Sequence, residues 1–148
     1  MSDLNLVAND TTLLIRRQCE RQKVYIRLEA GELPSFCFDP EKIKQALLNI
    51  IKNALEAMPE GGEIIIATRS TQEHATVTIS DNGPGIREEY LPLIFEPFFT
   101  RKGAGTGLGL SITQRIIEEH HGQIKVESSP DIGTVFTLDL PLTDNIKG

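Results

Sequence analysis

The sequence predicts a two-layer α/β sandwich, in which a mixed β-sheet is covered on one face by helices. Apolar residues recur at helical spacing in three segments and at every second position in several shorter ones. These segments follow one another as helix, strand, short strand, helix, two strands, a glycine-rich flap, helix and two strands. With 148 residues, the chain is long enough to bury the core of one such domain without disulfides.

The first predicted elements are a helix and a strand. Residues 1–8 show no clear pattern and are expected to form a linker. Residues 9–22 place apolar side chains among Arg and Gln, which favours a short amphipathic helix. Residues 23–28 alternate in polarity, as a strand with one buried face does. We therefore expect the domain to occupy residues 9–142, with a tail at 143–148.

The second predicted helix begins at Asp39-Pro40. An Asp carboxylate can accept hydrogen bonds from the free N–H groups of a first turn, and Pro is tolerated at the first helical position. Its apolar residues fall on one stripe, and the helix is expected to stop at Pro59. Asn49 and Asn53 are four residues apart and therefore lie one above the other, on the flank of the stripe.

Strands at 63–69 and 75–80 are predicted to form a hairpin. In the second strand every other residue is apolar, and this period of two places Asp81 on the same inward face. A carboxylate directed toward a core needs a partner. The later elements are predicted as a helix at 108–121 and strands at 123–127 and 134–140.

Two glycine clusters flank an aromatic segment in the middle of the chain. The clusters lie at 81–86 and 105–110, and residues 95–100 lie between them. Because glycine lets a backbone approach a ligand closely, this pattern predicts a flap between two fixed ends. The expected ligand is a nucleotide.

Composition excludes several function classes. The 21 Asp and Glu residues outnumber the 15 Lys and Arg, and the net charge of -6 argues against a nucleic-acid surface. No apolar run approaches membrane-spanning length and no leader is present, so we expect a cytoplasmic domain without direct membrane contact.

Cys19 and Cys37 lack metal-ligand spacing and are expected to be ordinary buried or half-buried thiols. P-loop, dinucleotide-binding and protein-kinase signatures are missing, so a nucleotide must bind by other means.

Five segments resemble, in the right order, the N, G1, F, G2 and G3 boxes of sensor histidine kinases. The segments are Gln45-x-x-x-Asn49-x-x-x-Asn53-Ala54, Asp81-x-Gly83-x-Gly85, Phe95 to Thr100, Gly105-Thr106-Gly107-Leu108-Gly109 and Gly133-Thr134-x-Phe136. The likeness is greatest to the catalytic, ATP-binding domains of nitrogen-regulation and sporulation-type kinases. It implies the Bergerat ATP-binding fold with an ATP lid, and ATP and Mg²⁺ as ligands.

The resemblance implies an adenine pocket around Asp81. The Asp81 carboxylate would accept from the exocyclic amine of adenine, whereas guanine would present an acceptor there. Gly83, Gly85 and Ile86 would form the segment that passes close to the purine ring. Gly85 and Thr134 would also help to hold a water molecule beside Asp81.

The two helical asparagines are the candidate catalytic residues. By resemblance, Asn53 would give Mg²⁺ a carboxamide oxygen, while phosphates and water supply most of the other ligands. In hydrolytic relatives the residue four positions earlier is a Glu that activates water, but Asn49 cannot act as a base at neutral pH. Poor ATP hydrolysis is therefore expected, with the γ-phosphoryl group kept for another acceptor.

The phosphates are expected to meet the second glycine cluster, because the start of a helix offers free N–H groups and a positive dipole end. The predicted phosphate ligands are Gly105, Thr106, Gly107, Leu108 and Gly109, together with Arg101 and Lys102 of the flap. Several relatives carry Lys three residues after the magnesium asparagine, but Glu56 stands here. More of the phosphate charge would then fall on Mg²⁺, the flap and the helix N-terminus.

The chain contains no histidine that matches a phosphoacceptor, since none of His74, His120 and His121 is followed by Glu or Asp. The resemblance therefore implies transfer of the γ-phosphoryl group to a His on a separate dimeric helical domain, and later to a response regulator. The isolated domain is expected to be monomeric, and the parent kinase could be membrane-anchored. Two alternatives stay open: a nucleotide-gated interaction module without phosphotransfer, and an anti-sigma-factor-type serine kinase of the same fold.

Overall fold

The computed structural model describes residues 1–97 and 109–142. In chain order the elements are α1 (Leu4–Gln22), β1 (Val24–Glu29), α2 (Pro40–Ala57), β2 (Gly62–Ser70), β3 (His74–Asp81), a 3₁₀ helix (Glu88–Leu93), α3 (Gly109–Glu119), β4 (Gln123–Ser129) and β5 (Gly133–Pro141). Apart from the 3₁₀ helix, each of these elements was predicted to within a few residues, except for the start of α1.

The five strands form one mixed sheet in the order β1-β2-β3-β5-β4. Strands β1 and β2 run parallel, and all other neighbours are antiparallel. Alternate strand residues pack with the three helices in a single core, whereas the opposite face of the sheet carries exposed or half-buried side chains for most of its area. The predicted two-layer sandwich is therefore confirmed. The buried strand hydrophobics are Val24, Ile26, Ile64, Ile66, Ala75, Val77, Ile79, Phe136, Leu138 and Leu140.

Helix α2 crosses the middle of the covered face, and its ends are fixed by specific contacts. The Asp39 side chain accepts from the backbone N–H groups of Glu41 and Lys42, which confirms the predicted cap. At the other end, Gln22 of α1 donates to the carbonyls of Leu55 (3.0 Å) and Met58 (3.3 Å). Both carbonyls also accept from a backbone N–H group, that of Met58 and that of Gly61 respectively, so Gln22 adds a second donor that ties α1 to the end of α2.

His120 joins the C-terminal end of α3 to the start of α2. Its Nε2 accepts from the backbone N–H of Asp39 at 3.0 Å, and its Nδ1 lies 2.8 Å from the carbonyl of Ile116. Because Nε2 accepts, the ring is neutral and Nδ1 carries the hydrogen. This arrangement gives His120 a structural role.

Residues 4–8 belong to the fold, so the linker prediction was wrong for them. Helix α1 begins at Leu4, and the Asp3 side chain caps it. Leu4, Val7 and Ala8 lie in the core. Val7 lies three positions after Leu4, and Ala8 directly follows Val7. Three apolar residues over so short a stretch do not by themselves indicate a helix. The short strand predicted before α2 is also wrong, since only an isolated bridge between residues 2 and 36 is present.

Replacing Leu4 by Ala is expected to lower the free energy of unfolding by about 2–5 kcal/mol, because it removes buried methyl groups and leaves a cavity. Leu6 on the same helix is 57% exposed, so Leu6→Ala should change stability by no more than about 0.5 kcal/mol. Urea titration followed by circular dichroism compares the two variants. Equal stability of both variants would contradict the assignment of residues 4–8 to the core.

The two cysteines differ in environment. Cys19 is buried as predicted, and burial raises the pKa of its thiol, so this group stays neutral. Cys37 is exposed, contrary to the expectation of a buried or half-buried thiol. None of the helices within residues 1–97 and 109–142 is both long and apolar enough to cross a membrane.

Candidate functional site

Asn49 ties α2 to the first turn of α3. Its Nδ2 donates to the carbonyl of Gly109 and to Oγ1 of Thr113, each at 3.2 Å. Thr113 is fully buried and itself donates to the Gly109 carbonyl at 2.8 Å. The amide of Asn49 therefore holds the helix that follows the flap, a role that sequence reasoning missed. The separation of 64 residues between Asn49 and Thr113 left no local pattern to reveal it.

Asn53 lies one turn further along α2, half-buried, and its carboxamide forms no hydrogen bond with another described residue. Its oxygen is thus available to a ligand. The described residues contain no group of three or more His, Cys, Asp or Glu side chains able to hold a metal ion. This donor set fits Mg²⁺ held by one protein oxygen together with phosphates and water, and does not fit a metal ion enclosed by protein ligands.

Asp81 is the last residue of β3, and its inward direction agrees with the prediction. Its Oδ1 accepts from the backbone N–H of Gly83 at 2.9 Å. The following loop lies directly against α2, because a Cβ added to Gly83 would come within 2.9 Å of Cγ of Met58. Met58 follows the end of α2, so the Asp81 corner and the helix that carries Asn53 belong to one continuous surface.

Thr134 of β5 stands directly opposite Asp81 in the sheet, and Ser128 of β4 stands directly opposite Thr134. Residues opposite each other in neighbouring strands project to the same face, with Cβ atoms roughly 4.5–5.5 Å apart. The three side chains form one line, named the Asp81–Thr134–Ser128 row below. The row places a carboxylate and two hydroxyl groups at the edge of the core.

Gly85 and Gly133 are required by the packing of backbone on backbone. Gly85 has a φ of +80° and Gly133 a φ of +141°, a region that side chains disfavour. A Cβ on Gly85 would collide with the carbonyl oxygen of Ser129, and one on Gly133 with that of Asp81. Gly85 was predicted to allow close approach to a purine, but what the structure shows is that it allows close approach to the β4–β5 turn.

Ile86 is 2% exposed, so its side chain belongs to the core. Its backbone N–H donates to Oγ of Ser128 at 2.7 Å and so fixes the loop after β3 to strand β4. The sequence analysis missed Ser128. The alternation of Ile124, Val126 and Ser128 was the signal, because it places a polar residue on the inward face at the end of a strand, as in β3.

The remaining predicted site residues lie, in the sequence, at or before the first residue of α3. Gly109 is the first described residue after the flap and begins α3. Outside the described residues lie Arg101, Lys102, Gly105, Thr106, Gly107 and Leu108, along with Phe98 and Phe99 of the aromatic segment. Phe95 is half-buried and packs edge-on against Phe136, with ring centroids 6.4 Å apart.

An open groove of about 480 Å³ runs along α2 beside Asn49. Lys42, Lys44 and Lys52 line it together with acidic and polar residues. Lys52 immediately precedes Asn53 and supplies a positive charge to this side of the helix. Glu56, on the next turn, is exposed.

Comparison with known proteins adds a family match to this geometry. The profile of the family described as "Histidine kinase-, DNA gyrase B-, and HSP90-like ATPase" matches residues 38–144. Sporulation kinase E of Bacillus subtilis (strain 168) is 40% identical over 143 residues, which are 95% of this chain and 19% of the relative. Sensor histidine kinase ZraS of Escherichia coli (strain K12) is 36% identical over 141 residues, which are 95% of this chain and 30% of the relative. The chain thus spans less than a third of either relative.

Solved structures give the same result at the level of the fold. The nucleotide-free catalytic domain of histidine kinase ThkA superposes with a TM-score of 0.85 at 36% identity, over 95% of each chain. The histidine kinase ThkA in complex with the response regulator protein TrrA superposes with a TM-score of 0.81 at 33% identity, over 96% of this chain and 41% of that one.

Proposed function

Because the chain belongs to the family of histidine kinase-, DNA gyrase B- and HSP90-like ATPases, as a catalytic domain of the sensor histidine kinase type, we propose that it binds Mg-ATP and transfers the γ-phosphoryl group to a His of the parent kinase. The observation that carries this proposal is the Asp81–Thr134–Ser128 row, which adjoins the end of the helix that bears Asn53. A row of polar side chains at one end of an α-helix and an available amide oxygen further along that helix suit an elongated nucleotide.

In this proposal the adenine lies at the Asp81 corner. The carboxylate of Asp81 is positioned by the N–H of Gly83 and accepts from the exocyclic amine of the base. The Gly83 segment rests on Met58, so the base enters beside the end of α2. A water molecule beside Asp81 is held with the help of Gly85 and Thr134.

The phosphates lie toward Asn53 and Asn49. Met58, the residue after the end of α2, lies five positions beyond Asn53, which corresponds to about 7.5 Å along the helix axis. Asn53 would hold Mg²⁺ together with the phosphates, and the ion would neutralise phosphate charge there. Lys52, the start of α3 at Gly109 and the flap residues Arg101 and Lys102 supply further positive potential.

The chemical step is an in-line displacement at the γ-phosphorus. A nitrogen lone pair of the acceptor His forms the new P–N bond while the bond from phosphorus to the bridging oxygen of ADP breaks. Asn49 has no basic group and its amide is engaged with α3, so it does not activate water. This chain positions the nucleotide, and the acceptor and any base belong to the helical domain.

The partners follow from the same proposal. The acceptor His lies on a dimeric helical domain of the parent kinase, and a response regulator receives the phosphoryl group from it, in line with the solved complex of ThkA with TrrA. We place the domain in the cytoplasm, where response regulators act, as a monomer when isolated.

Phosphotransfer in trans tests this function. The chain is mixed with Mg²⁺, γ-labelled ATP and the separately produced helical domain of the parent kinase. Label on that domain that survives alkali but not acid is expected. Replacing Asn53 by Ala should lower the rate at least about tenfold, because the metal loses its protein ligand. Asn9→Ala on the exposed surface of α1 is the matched control and should keep the normal rate.

Two results would contradict the proposal. Label that survives acid but not alkali would indicate a serine acceptor. Confirmed ATP binding without any label would favour a module that signals nucleotide occupancy.

A further inference from the structure

The Asp81–Thr134–Ser128 row contains a residue for which the proposed function has no role. We propose that Ser128 is a specificity-determining residue, which fixes the Thr134 hydroxyl as a hydrogen-bond acceptor and makes the pocket select 6-aminopurine over 6-oxopurine nucleotides. This inference rests on the proposed function, because it refines the base pocket of the same site.

The hydrogen bonds of Ser128 use the full capacity of its hydroxyl group. Oγ accepts from the N–H of Ile86 at 2.7 Å and donates to the carbonyl of Gly133 at 3.1 Å. It also lies 2.9 Å from Oγ1 of Thr134. A hydroxyl has one hydrogen and two acceptor sites, and a carbonyl can only accept. All three contacts coexist only when Thr134 donates to Ser128.

The direction of that bond decides what Thr134 offers to a ligand. Thr134 is 5% exposed, so its hydroxyl cannot rely on bulk water as a partner. Once its single hydrogen is used by Ser128, Oγ1 presents only lone pairs toward the rest of the row. Asp81, the next residue in the row, is likewise an acceptor when ionised.

Two adjacent acceptors favour a ligand edge that carries hydrogens. The exocyclic amine at position 6 of adenine donates two, directly or through a bridging water. A carbonyl oxygen at the same position, as in hypoxanthine or guanine, would face acceptors only and leave buried groups unpaired. Without Ser128, the Thr134 hydroxyl could turn and donate to such an oxygen, so selectivity should relax.

Ser128→Ala could change binding in two ways, through the Thr134 hydroxyl or through the loop at Ile86, and the two can be told apart. Ser128 also anchors the loop at Ile86, and loss of that anchor would weaken both kinds of nucleotide alike. The ratio of the two affinities therefore reports on the Thr134 hydroxyl, whereas their common fall reports on the loop.

Equilibrium binding of ATP and inosine triphosphate, measured by calorimetry with Mg²⁺ present, provides the test. Ser128→Ala should reduce the preference for ATP over inosine triphosphate roughly tenfold, as expected for one reoriented hydrogen bond. Ser128→Thr restores a hydroxyl and should keep the preference within about twofold of the unaltered chain. Ser70→Ala is the matched control, since it removes the same atom and one hydrogen bond to the carbonyl of Glu32, at the opposite end of the β2–β3 ladder from Asp81.

An unchanged ratio in Ser128→Ala would overturn the inference, whether or not both affinities fall. A ratio that relaxes equally in Ser128→Thr would also overturn it, because the hydroxyl would then not be the cause. If the unaltered chain bound neither nucleotide, the proposed function itself would fail, which is a result distinct from either of these.

Discussion

Replacing Asp81 by Asn is expected to lower the affinity for ATP at least about 100-fold. The half-buried carboxylate accepts from Gly83 on one side, and a carboxamide can keep that bond through its oxygen. Its NH₂ group then faces the amine of adenine, so two donors meet where one acceptor is needed. Loss of a charge-assisted bond together with an unpaired donor costs about 3 kcal/mol or more, which corresponds to this factor.

Asp139→Asn, in the same sheet, is the matched control for Asp81→Asn. Asp139 of β5 accepts from the hydroxyl of Thr76 at 2.7 Å on the face that the helices do not cover. Asp139→Asn should leave ATP binding unchanged. Calorimetric titration of both variants, with thermal unfolding to verify their folds, makes the comparison. If a folded Asp81→Asn variant bound ATP with wild-type affinity, the proposal that adenine binds at Asp81 would be wrong.

Replacing Gly133 by Ala is expected to lower the free energy of unfolding by at least about 3 kcal/mol. The residue has a φ of +141°, and a Cβ would collide with the carbonyl oxygen of Asp81 and approach Cα of Asn82 to 3.1 Å. The backbone of Asp81 cannot withdraw without breaking its pairing with Thr134. ATP affinity should fall as well, since the carboxylate would be displaced.

Gly109→Ala provides the contrast for this stability measurement. The nearest atoms to a Cβ at Gly109 belong to Asn49 and are 3.8 Å away, which is an ordinary contact. Ala is favoured over Gly by about 1 kcal/mol in a helix interior, and at the first described residue of α3 a smaller gain of the same sign is expected. Chemical denaturation should therefore show a stability that is unchanged or higher for this variant. A Gly133→Ala protein as stable as the unaltered chain would show that the β3–β5 end is not tightly packed.

The sequence by itself determined the layer architecture and most of the element order. Helix α2 was predictable because its signals are local: an Asp39 cap, Pro40 at the first position and one apolar stripe. The strands were predictable from a period of two, and the same period placed Asp81 on the inward face. Such signals use residues within about one turn or one strand of each other. The 3₁₀ helix at Glu88–Leu93 carries no comparable signal and was not predicted.

Only the tertiary structure decided how the site is held together. The bond from Ile86 to Ser128 joins residues 42 positions apart, and the Asn49 contact with Thr113 spans 64. The reason for a glycine at position 85 was equally hidden from the sequence, because a side chain there would collide with the carbonyl oxygen of Ser129, next to the β4–β5 turn. Contacts of this kind depend on sheet order and register, which bring distant strands to one edge. No local pattern in the chain predicts these contacts, because they form only when the strands and helices pack together in the folded domain.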